Sequence, residues 1–536
     1  MQGWSKGFRI SVWVMAVAML LGTGFISGAL AEEKPQYGGV MKVAIAGDPP
    51  SLDMHQETTF LVKIPMSNCY NTLVIFDPHG FPKIIGDLAS SWTSSEDGMT
   101  WTFKLHEGVK FHDGSELTSA DVKASWEKIV WPPKGTISTK KSYYGMIKSI
   151  EAPDRYTVVY HLTYPSASFL PMLAYPHNFI FSKKYLDQDV NYYKRNVMGT
   201  GPFKFKNWVR GSTLEVERNP DYFKKGLPYL DGIKYFVIRD LSARAKSVRT
   251  ERTDVELRGF PPAEVEAIKK QMGDRIVARY PRALSHWGVA FNVNQKPFDD
   301  ERVRQAMSLA LNRYEMAKVI GPLTGLETVG GLIHPDTPWT LTPEELQELP
   351  GFGQDYEANV KEAKALLKAA GYPDGFQTKL LNRAVKLPYI DFGVYLITAW
   401  KKIGVEAEHQ LEESAAWSKN RRIGNFALLA DPYGSAGTGD PDQIMNKFTT
   451  GASANYGRFS DPEVDRLYKA QQTELDPQKR IELVKQMQRI IVGKSYFLPG
   501  LFWTRIEVRS AKIKNYEPHH SHHMNRRFED TWLAKQ

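Results

Sequence analysis

The chain has 536 residues, a formal charge of +9, 12% aromatic residues and a single cysteine. One cysteine excludes an internal disulfide framework, and a basic excess this mild, scattered over many segments, argues against a nucleic-acid partner. The length suits two to four structural units around sizeable cores, stabilised by packing rather than by covalent links.

At the N-terminus Lys6 and Arg9 precede an apolar run from Val12 to Leu21, and Ala29-Leu30-Ala31 follows. A charged region, a short apolar region and an A-x-A site predict a signal peptide over residues 1–31, cleaved after Ala31. The alternative, an uncleaved anchor, is disfavoured because the strongly apolar core falls short of the roughly 20 residues of a membrane span. Cys69 lies far from this site and cannot carry a lipid there, so the expected product is a freely soluble periplasmic chain. Beside Asn68 and Tyr70, with no partner base nearby, Cys69 is expected to be a small buried side chain.

Further along, "MTWTFKLHEGVKFHDG" sets Trp101, Phe103 and Leu105 on one face and turns at Glu107-Gly108 into Val109 and Phe111, which predicts a hairpin. In "LTSADVKASWEKI" the spacing predicts a helix capped by Thr118 with Asp121 three residues on, and a stripe of Val122, Trp126 and Ile129. The segment from Phe291 predicts a strand ending at Pro297. Asp299 to Glu301 then load the first turn of a helix whose apolar face is Val303, Ala306, Met307, Ala310 and Leu311. Residues 321–353, rich in Gly and Pro, predict a long surface excursion. The helix in "KEAKALLKAAGYPDGF" should stop at Gly371, and Ser460 with Glu463 should box the start of "DPEVDRLYKAQQ". The alternation of strands and helices predicts an α/β chain of several layers.

The stretch "ADPYGSAGTGDPDQ" places Gly434, Gly437 and Gly439 between Asp431-Pro432 and Asp440-Pro441. Bare backbone of this kind can approach a ligand closely, but the loop lacks the lysine and hydroxyl of a nucleotide-phosphate cradle. Two histidine groups have residue types that can ligate metal. His106, Glu107, His112 and Asp113 flank turns and need not converge, whereas His519, His520, His522 and His523 form a denser local run. Neither set is assigned as a metal site. An exported metal-dependent hydrolase using these histidines stays as the alternative of another class.

Six separated segments together resemble the extracytoplasmic solute-binding proteins of family 5, the dipeptide and oligopeptide binders of ABC importers. They are "WTFKLHEGVKFHDGSELTSADVKASWEKI", "GTGPFKFKNW", "ERNPDYFKKGLPYLDGI", "FNVNQKPFDDERVRQAMSLALNR", "AKALLKAAGYPDGF" and the region from Asp431 to Asp442. The resemblance implies a type II-like periplasmic binding fold: two lobes that close about a hinge, with an extra α/β domain. Lobe I would comprise residues 32–58, 200–283 and 500–536, the extra domain 59–199 and lobe II 284–499, with crossings near Arg282 and Gly500. It implies a monomer that is no enzyme, needs no cofactor, encloses a small polar ligand such as a peptide, and delivers it to inner-membrane permease subunits. A ligand touching both lobes would add binding energy to the closed state alone and shift the population towards it.

In peptide-binding relatives an aspartate shortly before an Asp-Pro or Glu-Pro pair neutralises the peptide's α-amino group, on a strand matching Phe426 to Ala430. Asp440-Pro441 matches that pair, but Ala436 or Gly437 stands where the acid belongs. Asp431 could replace it, with Tyr433 packing on the ligand. Otherwise the pocket takes a non-peptide solute such as a sugar, an opine or a metal chelate. The same resemblance makes His286 and Trp287, and with them Trp417, Trp503 and Asp440, candidate ligand contacts.

Overall fold

Parallel pairing of short, deeply buried strands organises the molecule. The strand Val40–Ile45 has the consecutive residues Val43, Ala44 and Ile45 buried, as a strand covered on both faces requires. It runs parallel to Gly232–Val237 on one side and to Val255–Phe260 on the other. Antiparallel additions extend this into a seven-stranded sheet: Thr213–Arg218 and Phe203–Val209 beyond one edge, Ile506–Ser510 and Ile276–Arg279 beyond the other. The computed structural model describes residues 33–57, 59–281, 285–434, 439–519 and 527–535, and at 415, 433 and 434 the backbone alone. Residues 36–536 gather into one compact unit.

A second sheet of six strands has its own core. Its central strand Ser285–Phe291 lies antiparallel to both Leu428–Gly434 and Phe497–Trp503. Phe376–Arg383 continues it parallel to Leu428–Gly434, and Val405–Glu412 lies parallel to Phe376–Arg383. One apolar cluster drawn from residues 287–501 fills the space beneath its helices. A four-stranded antiparallel sheet within residues 89–162 packs on the helix Ser119–Val130 around a third core that includes Phe103, Trp126 and Tyr160. Cys69 is buried and free.

Several local expectations hold for the reasons given. The Asp121 carboxylate accepts from the Thr118 N–H at 2.8 Å at the start of Ser119–Val130. Asp300 accepts from the Arg302 N–H at 2.9 Å and caps Glu301–Leu309, an interaction worth roughly 1 kcal/mol. Val303, Ala306, Met307, Ala310 and Leu311 are all buried.

Others are corrected. Thr100–Leu105 does not form a hairpin with Val109 and Phe111; both its edges are taken, one by the preceding strand Ala89–Ser94 and the other by Thr157–Leu162, which is distant in sequence. The strand from Ser285 ends at Phe291, not at Pro297. The cap of Pro462–Thr473 is Asp461 rather than Ser460: its carboxylate accepts from the N–H groups of Glu463 at 3.0 Å and Val464 at 3.4 Å, with Pro462 at the first helical position. Residues 321–353 are no surface excursion. Leu332, Ile333, Leu341 and Phe352 are buried at spacings that fit neither a helix nor a strand period. Arg313, fully buried, fastens this segment by donating to the carbonyls of Gly351 at 2.6 Å and Pro499 at 2.7 Å while stacking on Phe352. Finally, Phe497–Trp503 stays in the six-stranded sheet to its last residue, where Trp503 pairs with Leu326, so the chain crosses between sheets at Thr504–Arg505 and not at Gly500. The other expected crossing, Arg282, lies outside the described residues.

Candidate functional site

The carboxyl ends of parallel strands from both large sheets border one cavity of about 620 Å³. Ala46 follows Val40–Ile45, Arg239 follows Gly232–Val237, and Gly259 and Phe260 end Val255–Phe260. From the six-stranded sheet, Arg383 ends its strand and Val385, Lys386 and Leu387 follow it; Trp503 and Arg505 complete that side. In an open α/β sheet this is where a ligand finds side chains and backbone groups that the strands themselves do not use. Gly259 has a φ of +90°, and a Cβ there would sit 3.0 Å from that of Arg505, so a side chain is excluded by both strain and space. Its N–H donates to the carboxylate of Glu256, which also pairs with Arg244 at 3.0 Å.

Of the residues singled out from the sequence, Trp503 lines this cavity; its indole N–H donates to the Thr324 carbonyl at 2.8 Å and Arg505 stacks on its ring at 3.8 Å. Trp287 reaches it indirectly. It is buried edge-on against Tyr389 at 4.2 Å and Trp503 at 6.1 Å. Trp417 is also buried, edge-on to Tyr389 at 6.0 Å. His286 points into core on the other face of its strand, against Phe502 at 4.9 Å and Phe497 at 5.7 Å. Burial, with Lys447 and His334 nearby, pushes its pKa down to about 3, so the ring is neutral.

Asp431 is buried on the strand Leu428–Gly434, directly opposite Gly288. A side chain at 288 would collide with the Phe497 ring, so glycine is needed there. The Asp431 carboxylate accepts from Arg421 at 3.0 Å, and that guanidinium is stacked between Trp417 at 4.5 Å and Tyr456 at 4.6 Å. Burial raises the Asp431 carboxyl, while Arg421 and then Lys447 pull it down part of the way. The backbone of Tyr433 pairs with His286; its side chain lies outside what is described.

Asp440 sits across the glycine-rich loop from Asp431. Arg480 grips it with two bonds of 2.8 and 2.9 Å, and Ser168 donates to it at 2.9 Å. This carboxylate joins the six-stranded unit to the segment that carries the four-stranded sheet. Asp442 lies next to it and accepts from Gln471 at 2.7 Å. Gly437, in the loop itself, lies outside the described residues.

His519 is buried and faces the Phe81 ring edge-on at 6.3 Å, whereas His520, His522 and His523 lie outside the described residues. His112 bonds the Gly201 carbonyl at 3.1 Å and Asp113 pairs with Lys184 at 3.1 Å, so the first histidine group does not converge. Among the described residues, no three His, Cys, Asp or Glu side chains are placed to hold a metal ion.

The basic residues of the cavity escaped the sequence reading. Their signal was an arginine or lysine within a few residues of a strand's end, as in "VIRD", "ELRGF" and "NRAVK", and it gains meaning only when those strand ends meet.

Similar proteins agree with this architecture. The di/tripeptide-binding protein 1 of Pseudomonas aeruginosa is 28% identical over 87% of this chain and 89% of its own. The glutathione-binding protein of Pectobacterium atrosepticum is 31% identical over 79% and 80%. The solved periplasmic binding protein DppA of Helicobacter pylori, in complex with the peptide STSA, superposes with a TM-score of 0.79 at 27% identity, covering 93% of this chain and 99% of its own. Its fold is that of the periplasmic binding proteins, and the two large sheets here with the extra four-stranded one are the same α/β architecture. Residues 83–456 match the middle region of the bacterial extracellular solute-binding proteins, family 5, a family of solute binders rather than enzymes that works with ABC permeases, and the chain belongs to that family.

Proposed function

We propose that this chain encloses a small peptide or related polar solute in the cavity at the strand ends of its two large sheets and releases it to the permease of an ABC importer. The observation that carries the reading is the meeting of parallel strand ends from both sheets around one cavity of about 620 Å³, ample for a di- or tripeptide-sized molecule. The sheet memberships support lobes formed by residues 32–58, 200–283 and 504–536 and by residues 284–503, with residues 59–199 as an additional domain and the last crossing at Thr504–Arg505. The names of the relatives, which bind di- and tripeptides or glutathione, favour a ligand of that size. Trp503 is the contact best supported among the expected ones. Trp287 and Trp417 back the wall, His286 lies in core on the opposite face of its strand, and Asp431 and Tyr433 remain proposed for the loop side. The chain acts as a monomer, exported with cleavage after Ala31.

The test uses protein purified without refolding. Denaturing it and identifying the released small molecules by mass spectrometry should yield a stoichiometric solute. Adding that solute back to emptied protein should reduce the radius of gyration in X-ray scattering, as lobe closure requires. A chain that releases nothing and keeps its radius with any di- or tripeptide overturns the reading.

A further inference from the structure

Six basic side chains line the cavity, Arg239, Arg244, Arg258, Arg383, Lys386 and Arg505, against one acidic one, Asp240. Their charges are met unequally. Arg244 is neutralised by the buried Glu256, and Arg239 comes within 3.9 Å of Asp48. Arg383 spends its donors on neutral partners, the Ser414 hydroxyl at 2.7 Å and the Tyr389 hydroxyl at 3.3 Å. Arg258 lies over the Phe60 ring at 5.2 Å, and among the described residues neither it nor Lys386 has a carboxylate at ion-pair distance. Burial, then the neighbouring charge of Arg244, lowers the Arg258 pKa from its ordinary value, and Glu256, already paired with Arg244, offsets only part of this.

The acids are committed elsewhere. Asp240 turns a carboxylate oxygen to the Ala243 N–H at 2.7 Å, capping its own helix, and Asp431 is held by Arg421. A ligand ammonium would therefore meet no unengaged buried carboxylate on the described walls. Cations left in a concave, poorly solvated site repel one another and focus a positive potential, and the ligand is what can relieve it. Arginine adds geometry, because its planar fork matches a carboxylate or phosphate with two parallel bonds.

We propose that the solute is a small polyanion carrying at least two carboxylate or phosphate groups, bound between Arg258 from the seven-stranded sheet and Arg383 and Lys386 from the six-stranded one. This rests on the cavity being the solute site. Because the gripping cations come from both sheets, a molecule with two separated anionic groups bridges them, and a neutral peptide of the same size does not. The division of labour also explains why the acid expected near Gly437 is dispensable: the anchor is the ligand's negative end.

The experiment is calorimetric titration of the emptied full-length chain with trialanine, Ala-Glu-Glu, Lys-Ala-Lys and fructose 1,6-bisphosphate, at low and high salt, with scattering to follow closure. Ala-Glu-Glu or fructose 1,6-bisphosphate should bind about tenfold or more tightly than trialanine, and whichever does so identifies the anionic groups as carboxylate or phosphate. The advantage should shrink with salt, and Arg258→Gln and Lys386→Gln should each remove about tenfold of it without lowering the melting temperature, the ratio of dianion to trialanine affinity being the quantity read. Trialanine or Lys-Ala-Lys binding as tightly, with closure, would overturn the polyanion and leave solute capture standing. If no probe binds, the charge of the solute released on denaturation decides: a dianion supports the proposal and a neutral or cationic solute refutes it. Absence of both a released solute and any closure removes the capture reading itself.

Discussion

Two buried aspartates flank the glycine-rich loop, each paired with an arginine, and their surroundings have opposite electrical sign. Asp431 faces Arg421 and, beyond it, Lys447, so cations outnumber acids there. Asp440 faces Arg480 but has Asp442 beside it, so acids outnumber cations. The first pair is local, made between a strand and the helix just before it; the second ties helix Pro477–Gly493 to Ser168, far away in the chain. The same residue pair thus serves two ends: at Asp431 the acid tempers an excess of positive charge, and at Asp440 the arginine tempers an excess of negative charge. Which partner is indispensable differs accordingly.

The strongest way to break the comparison is Arg480→Ala. It leaves two buried carboxylates side by side without their cation and frees Ser168, so urea unfolding should show a loss of about 3–5 kcal/mol. Arg480→Lys should recover part of it, since the charge returns but the fork does not. An Arg480→Ala protein as stable as the parent would show that Asp440 is not the linchpin of this contact.

Asp431→Ala comes next, with an expected stability loss of about 2–4 kcal/mol, because it sets Arg421 and Lys447 against each other with no acid between. The informative quantity is the contrast with affinity. If Asp431 compensates Arg421, ligand affinity should change less than about tenfold while the urea midpoint falls. The reverse pattern, a folded protein of ordinary stability with affinity lost, would return Asp431 to the role of amine anchor.

The pH response sharpens the difference at Asp442. Burial, and then the charge of Asp440, raise its carboxyl to about 6 from the ordinary value of 3.8. Between those values the folded protein holds a proton that the unfolded chain has released. Its contribution to stability is therefore full below about pH 3.8, declines as the pH climbs towards 6, and is flat above. Melting temperatures of the parent minus those of Asp442→Asn should fall by a few degrees from pH 4 to pH 6. A constant difference would mean that Asp442 is ionised throughout, and the acid excess at this end would be smaller than the geometry indicates.

The smallest effect is expected from Ser168→Ala, which removes one hydroxyl from a network that Arg480 still satisfies: roughly 0.5–1.5 kcal/mol in urea unfolding. A loss as large as that of Arg480→Ala would place the strength of the contact in the hydroxyl instead of the ion pair.

Much of the architecture was legible before any coordinates. Thr118 with Asp121, Asp300, the apolar stripe from Val303 to Leu311 and the buried Cys69 all follow from local chemistry, because a helix cap or a helical stripe is decided within a few residues. The family was legible for a similar reason: its segments recur in order along the chain, and residues 83–456 match it. The misreadings share a cause too. Ser460 lost the cap to Asp461 because the proline at 462 fixes where the helix begins. The apolar residues of 321–353 read as surface because no period joins them, and their core is supplied by Arg313, Trp503 and the helix Pro477–Gly493 from elsewhere.

The candidate site divides in the same way. The glycine-rich loop, its two aspartates and the missing acid at Gly437 could be read in order along "ADPYGSAGTGDPDQ", since they are neighbours in sequence. That Asp431 and Asp440 are already engaged by Arg421 and Arg480 could not, and neither could the basic lining of the cavity. The sequence by itself determined several helices, the cap at Thr118 and the family, because those depend on short-range periodicity and on motifs in order. Only the tertiary structure decided which charges meet. Residues 239, 258, 383, 386 and 505 belong to segments far apart in the chain, and parallel pairing in two sheets is what brings their strand ends to one place.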